Sequence, residues 1–143
     1  MSRQFKVLLV EKIDEAGLKL LEGISEVKVA SGASEETLME ESRDVDAIVI
    51  RALGKITVKV MDNAPKLKVV GRHGVGVDNI DVEAATRRGI PVVYTPESNA
   101  EAVADHTMGL IIALAKNLVQ GNCALKFKGN WNFRYEQRGT DVY

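Results

Sequence analysis

Leu67-Lys68-Val69-Val70-Gly71-Arg72-His73-Gly74-Val75-Gly76-Val77-Asp78-Asn79 passes from a short β-branched strand straight into a glycine-spaced turn. Such a turn suggests a dinucleotide fingerprint, but two requirements of that motif fail. Its third glycine falls on Asn79, and the acidic residue due about 20 residues later is Glu97, in a Pro-rich turn instead of at a strand end. What glycines at 74 and 76 do permit is close approach of backbone amides to an anion, with no Cβ in the way. A carboxylate is the natural guest; a tight turn without a ligand is the alternative.

Outward from this strand, Phe5 to Val10, Val27 to Ala30, Asp46 to Ile50 and Pro91 to Tyr94 read as four more buried strands. Asp14 and Ser34 are N-cap candidates for helices between them, and Val58 to Ala64 and Val82 to Arg88 are short helical connections. The pattern predicts an α/β fold with a five-stranded parallel sheet and flanking helices, joined by right-handed crossovers. Ligands of such sheets bind at the carboxyl ends of the strands, near the reversal of strand order. Here those ends carry Glu11, Arg51, the segment Arg72 to Asp78, and Thr95. The acids Glu35, Glu36, Glu40, Glu41, Asp44 and Asp46 are expected to form a solvated face.

Arg51 ends the third strand, where its guanidinium could hold a carboxylate or phosphate with two parallel hydrogen bonds. An exposed cation at a strand end is the alternative. Arg72 is closer still to the glycines and could serve the same anion, or form an ion pair with Asp78 or Asp81. His73 and His106 are far apart, and with Cys123 as the only cysteine no metal-ligand spacing exists. No metal site is expected.

The chain has 143 residues, 45% of them apolar, with 19 Lys plus Arg against 20 Asp plus Glu. A near-neutral balance disfavours nucleic acid as a partner. The apolar stretch Met108 to Ala115 is far shorter than the ~20 residues of a membrane span, and the polar N-terminus lacks a signal peptide's pattern. A cytoplasmic protein without a membrane partner is expected.

From Asn99, a plausible N-cap, one long helix is predicted to about residue 120, with Val103, Thr107, Leu110, Ile111, Leu114 and Leu118 on one stripe. Residues 121–143, with no clear period and with Trp131, Phe133 and Tyr135 alternating, read as an extended arm. An orphaned stripe favours self-association, so a homodimer through Val103, Leu110, Ile111, Leu114 and Leu118 is expected.

Three ordered motifs now stand together: Arg72 to Asp81, Ala84-Ala85-Thr86-Arg87-Arg88-Gly89-Ile90-Pro91-Val92, and Asn99-Ala100-Glu101-Ala102-Val103-Ala104-Asp105-His106-Thr107. Together they closely resemble the D-isomer-specific 2-hydroxyacid dehydrogenases, with the phosphoglycerate dehydrogenase branch nearest. The resemblance implies a flavodoxin-like substrate domain over 1–98, a crossover helix over 99–120 and an arm over 121–143 leading toward a nucleotide-binding domain. It also implies a substrate-binding set of Arg51, Arg72, Gly74, Val75, Gly76 and Asn99, with Val75 and Thr107 on the nicotinamide side of a cleft.

The parent activity so implied is NAD-dependent oxidation of the 2-hydroxyl of a small acid, 3-phosphoglycerate first, or a glyoxylate/hydroxypyruvate-type reduction. In the family, Ser or Thr follows the strand-end arginine where this chain has Ala52, and Thr is common where it has Gly54. The family's nucleotide fingerprint and catalytic arginine, glutamate and histidine belong beyond Tyr143. The chain therefore reads as an N-terminal portion, expected to bind no cofactor and to be inactive in isolation. A non-catalytic flavodoxin-like binding module is the second reading. A phosphoreceiver in particular is disfavoured, because strand three ends in Arg51 and strand five runs into Thr95.

Overall fold

The computed structural model describes residues 4–136 and 139–140. The chain divides into two compact units, Met1–Ser98 and Asn99–Tyr143. In the first, strands β1 (Phe5–Leu9), β2 (Ser25–Val29), β3 (Ala47–Ile50), β4 (Val69–Arg72) and β5 (Val92–Tyr94) alternate with helices α1 (Glu15–Glu22), α2 (Glu35–Glu41), α3 (Val58–Asp62) and α4 (Val82–Arg87). All pairings are parallel, in the order β2-β1-β3-β4-β5. Strand order reverses between β1 and β3, so Glu11 and Arg51 leave the sheet on either side of the reversal.

Alternation across the sheet decides the core. Leu8, Ile48, Ile50 and Val70 point to one face, are fully buried, and pack against Leu38 of α2, Val60 and Met61 of α3 and Ala84 and Ala85 of α4. The other face carries α1, whose Leu21, with Ile24 of the turn that follows, borders a groove with Phe5, Val7 and Val69. Every one of these helices has a side-chain N-cap: Asp14, Ser34, Thr57 and Asp81 each accept a backbone N–H of the first turn. Such a cap contributes about 1 kcal/mol. Strand β4 begins two residues later than the apolar pattern suggests, because the Leu67 N–H is spent on Ala64 O in the turn after α3.

The acidic residues after Ala33 form a solvated face only in part: Glu36, Glu40 and Asp44 are exposed, while Glu35 and Glu41 are half-buried and Asp46 lies in the interior. Asp46 is buried, 2% exposed, and accepts the Lys6 backbone N–H at 3.1 Å. Glu41 accepts from the Ser31 hydroxyl at 2.8 Å and Glu35 from the Thr57 hydroxyl at 2.6 Å, and Glu35 pairs with Lys59 at 2.9 Å. Asp44 joins Lys6, at 2.6 Å, and Lys66. Hydrogen bonds from Lys6 and then Lys66 hold its carboxyl down from 3.8 to about 2. A depressed carboxyl stabilises the fold above its unfolded value, and that contribution disappears as pH falls from about 4 toward 2. Urea midpoints of wild type and Asp44→Asn should therefore differ at pH 7 and converge near pH 2; a constant difference would refute the pairing.

In the second unit the long helix is interrupted. Helix α5 (Ala100–Ala115) ends where Asn117 adopts the left-handed conformation, φ 50°, which asparagine tolerates better than most residues. Leu118 thus lies beyond the break, and residues 118–128, expected to be partly arm, form helix α6 (Leu118–Lys128), closed by Gly129 at φ 58°. A short α7 (Phe133–Glu136) follows. Phe133 borders a concave space of about 350 Å³ with Leu118, Leu125 and Trp131. Of the expected arm, 137–138 and 141–143 lie outside the described residues.

The apolar positions of α5 are not one stripe: Met108, Leu110, Ile112 and Leu114 are all more than 40% exposed. No single helix among the described residues is long and apolar enough to cross a membrane; α5 and α6 reach that length only together, across a 59° bend.

Candidate anion site at the carboxyl ends of the strands

The parallel register places Ile50 beside Arg72, so Arg51 and His73 are the next residues off the sheet. The His73 N–H donates to Ile50 O at 2.9 Å and the Thr95 N–H to Gly74 O at 3.1 Å, which ties the glycine turn to both neighbouring strands. Gly74 has φ 149°, open to glycine and rare for L side chains, and a Cβ there would meet the Arg72 Nη1 at 2.6 Å. The turn therefore depends on glycine at 74, as its spacing suggests.

Arg72 serves the turn itself. Its Nε donates to Gly76 O at 2.7 Å and its Nη1 to His73 O at 2.6 Å, in place of an ion pair with Asp78 or Asp81. Asp81 is committed elsewhere, accepting the Ala84 N–H at 2.8 Å as the cap of α4. With Gly76 O and His73 O turned toward the guanidinium, the amide hydrogens of Val75 and Gly76 are left without a partner among the described residues. Val75 is 41% exposed. Arg51 is exposed, and its guanidinium likewise has no hydrogen bond or ion pair among the described residues.

Glu11 organises the loop after β3, a role its strand-end position alone did not disclose. Its Oε1 accepts the backbone N–H of Ala52 and, at 2.7 Å, that of Leu53. From the other side the Asn79 Nδ2 donates to Arg51 O at 3.2 Å. Gly54 follows at φ 74°, where a Cβ would stand 2.9 Å from Ala33 O.

Asn99 and Thr107 belong to the second unit. Asn99 precedes α5 but makes no side-chain cap bond, its own backbone being away from the extended conformation of a good N-cap. The Thr107 hydroxyl donates to Val103 O at 2.7 Å. Among the described residues no group of three His, Cys, Asp or Glu side chains could hold a metal ion.

Amides without a partner among the described residues after β4, and an exposed guanidinium at the end of the adjacent β3, are groups suited to a small carboxylate. The chain is 46% identical over 138 residues to a D-3-phosphoglycerate dehydrogenase of Methanocaldococcus jannaschii, covering 96% of this chain and 26% of that protein. Its fold matches the NADPH-dependent glyoxylate/hydroxypyruvate reductase of Sinorhizobium meliloti in complex with NADP and malonate, with TM-score 0.79, 30% identity, and 99% and 43% of the two chains covered. It also matches the NAD-dependent formate dehydrogenase of Staphylococcus aureus in complex with NAD, with TM-score 0.77, 26% identity, and 96% and 46% covered. The chain thus spans about a quarter of the curated relative and less than half of each solved one. Residues 7–138 match the catalytic domain of the D-isomer specific 2-hydroxyacid dehydrogenases, and the chain belongs to that family.

Proposed function

We propose that this chain is the substrate-carboxylate-binding portion of an NAD-dependent oxidoreductase acting on the CH–OH group of a D-2-hydroxyacid. 3-Phosphoglycerate is the first candidate and a glyoxylate/hydroxypyruvate-type acid the second. One observation carries the reading: the amide hydrogens of Val75 and Gly76 have no partner among the described residues, in a turn that Arg72 braces through His73 O and Gly76 O on either side of them. Arg51 adds the charge, and Asn99 is a further candidate ligand of the acid. We place the protein in the cytoplasm.

The turn does not fit a dinucleotide's phosphates. Those need free amides at a helix N-terminus, whereas the carboxylate of Asp81 occupies the start of α4. Its chemistry is therefore confined to the acid, with Val75 and Thr107 assigned to the nicotinamide side. On this reading the chain alone turns over no 2-hydroxyacid. Malonate is a suitable probe, being the dicarboxylate bound to the Sinorhizobium relative. Arg51→Ala should weaken malonate binding to the 143-residue chain by about tenfold or more, the worth of a charge-assisted two-pronged contact; unchanged affinity by calorimetric titration would exclude Arg51 from the site.

Self-association is proposed through Val103, Leu110, Ile111, Leu114, Leu118 and the Trp131 segment. Each of these five aliphatic side chains is at least 44% exposed. Burying all five would stabilise a dimer by on the order of 10 kcal/mol before the cost of association. Sedimentation should show a dimer at micromolar concentration; a clean monomer would refute it.

A further inference from the structure

We propose that Glu11 and Asn79 are positioning residues for Arg51. The proposal rests on the reading of Arg51 as an anion ligand and adds what aims it. The Arg51 C=O and the Ala52 N–H belong to a single peptide group. Asn79 Nδ2 donates to its oxygen at 3.2 Å, and Glu11 Oε1 accepts from its nitrogen. A second bond, from the Leu53 N–H to the same Glu11 oxygen at 2.7 Å, extends the grip one residue further. Gripped at both edges, this peptide plane cannot rotate without breaking a bond, so the backbone direction from which the Arg51 side chain departs is fixed.

The three residues come from three carboxyl ends. Glu11 follows β1, Arg51 follows β3, and Asn79 lies in the turn after β4. Asn79 is itself held, since its C=O accepts the Ile56 N–H at 2.8 Å. The orientation of its amide follows from Arg51 O being an acceptor: only the nitrogen can face it.

The sign of the effect separates positioning from simple electrostatics. Glu11 is an anion at the mouth of an anion site, so by Coulomb's law its removal should tighten binding of an anion. Positioning demands the opposite. The experiment is a malonate titration of the 143-residue chain and its variants, with thermal unfolding recorded for each. Glu11→Ala should weaken binding by about three- to tenfold, while Glu11→Gln, whose amide oxygen still accepts, should stay within about twofold. In the Arg51→Ala background Glu11→Ala should cause no further loss, because there is nothing left to aim.

Tighter binding by Glu11→Ala, or the same loss in both backgrounds, would overturn the proposal. Arg51→Ala without effect would instead overturn the functional reading on which it rests. Asn79→Ala, acting on the other edge of the peptide, carries the same expectations and the same overturning results, and decides the matter if Glu11→Ala does not fold.

Discussion

Ile48→Ala should destabilise the chain by about 2–5 kcal/mol. Ile48 lies in β3, the middle strand of the five, fully buried between β1 and β4 on the face covered by α2, α3 and α4. It pairs with Leu8 and Val70, both fully buried, in a close-packed face. The loss combines lost transfer free energy with the cavity left behind, and a domain of this size has only about 5–15 kcal/mol in total. Urea unfolding followed by circular dichroism measures it. A shift below 1 kcal/mol would mean that this sheet face is not the closed core described above.

Gly54→Thr is the second large effect, and it runs against what resemblance suggests, since threonine is common at this position in the family. In this chain the backbone at Gly54 has φ 74°, and any Cβ would press on Ala33 O at 2.9 Å and on Leu38 Cδ1 at 3.2 Å. A β-branched residue in the left-handed region costs about 1–3 kcal/mol, and overpacking a rigid carbonyl adds about as much again. The expected loss is about 2–6 kcal/mol, read from the shift in the urea midpoint. A neutral outcome would show that the loop after β3 can adopt another path. Glycine at 54 is therefore bound up with how this loop folds, and the hydroxyl that the family often places there is not missing by simple substitution.

The sheet was legible because its signals are local. Runs such as Ala47-Ile48-Val49-Ile50 are β-branched and bounded by polar residues, and the caps Asp14 and Ser34 were visible as residue types at the right offsets. Long-range bonds were less legible. The acids at 35, 41, 44 and 46 look alike in sequence, yet Asp46 is buried against Lys6, forty residues away. Glu11 was marked only by its strand end, because its partners are backbone N–H groups 41 and 42 residues on, which composition cannot display. The helix over residues 121–128 was missed for a different reason: α6 has no apolar period, and its start depends on a single asparagine in a left-handed conformation.

Arg72 shows both sides of this at once. Its nearness to the glycines was plain, but its role depended on which carbonyls the turn presents, and those became evident only with the backbone path.

The central claim, a carboxylate held by the glycine turn, is tested most directly by following backbone amide resonances of the 143-residue chain during a malonate titration. The amides of Val75 and Gly76 should show the largest saturable shifts, and these should shrink in Arg51→Ala. Saturable shifts confined to other lysine or arginine segments, or none at residues 75 and 76, would contradict the account.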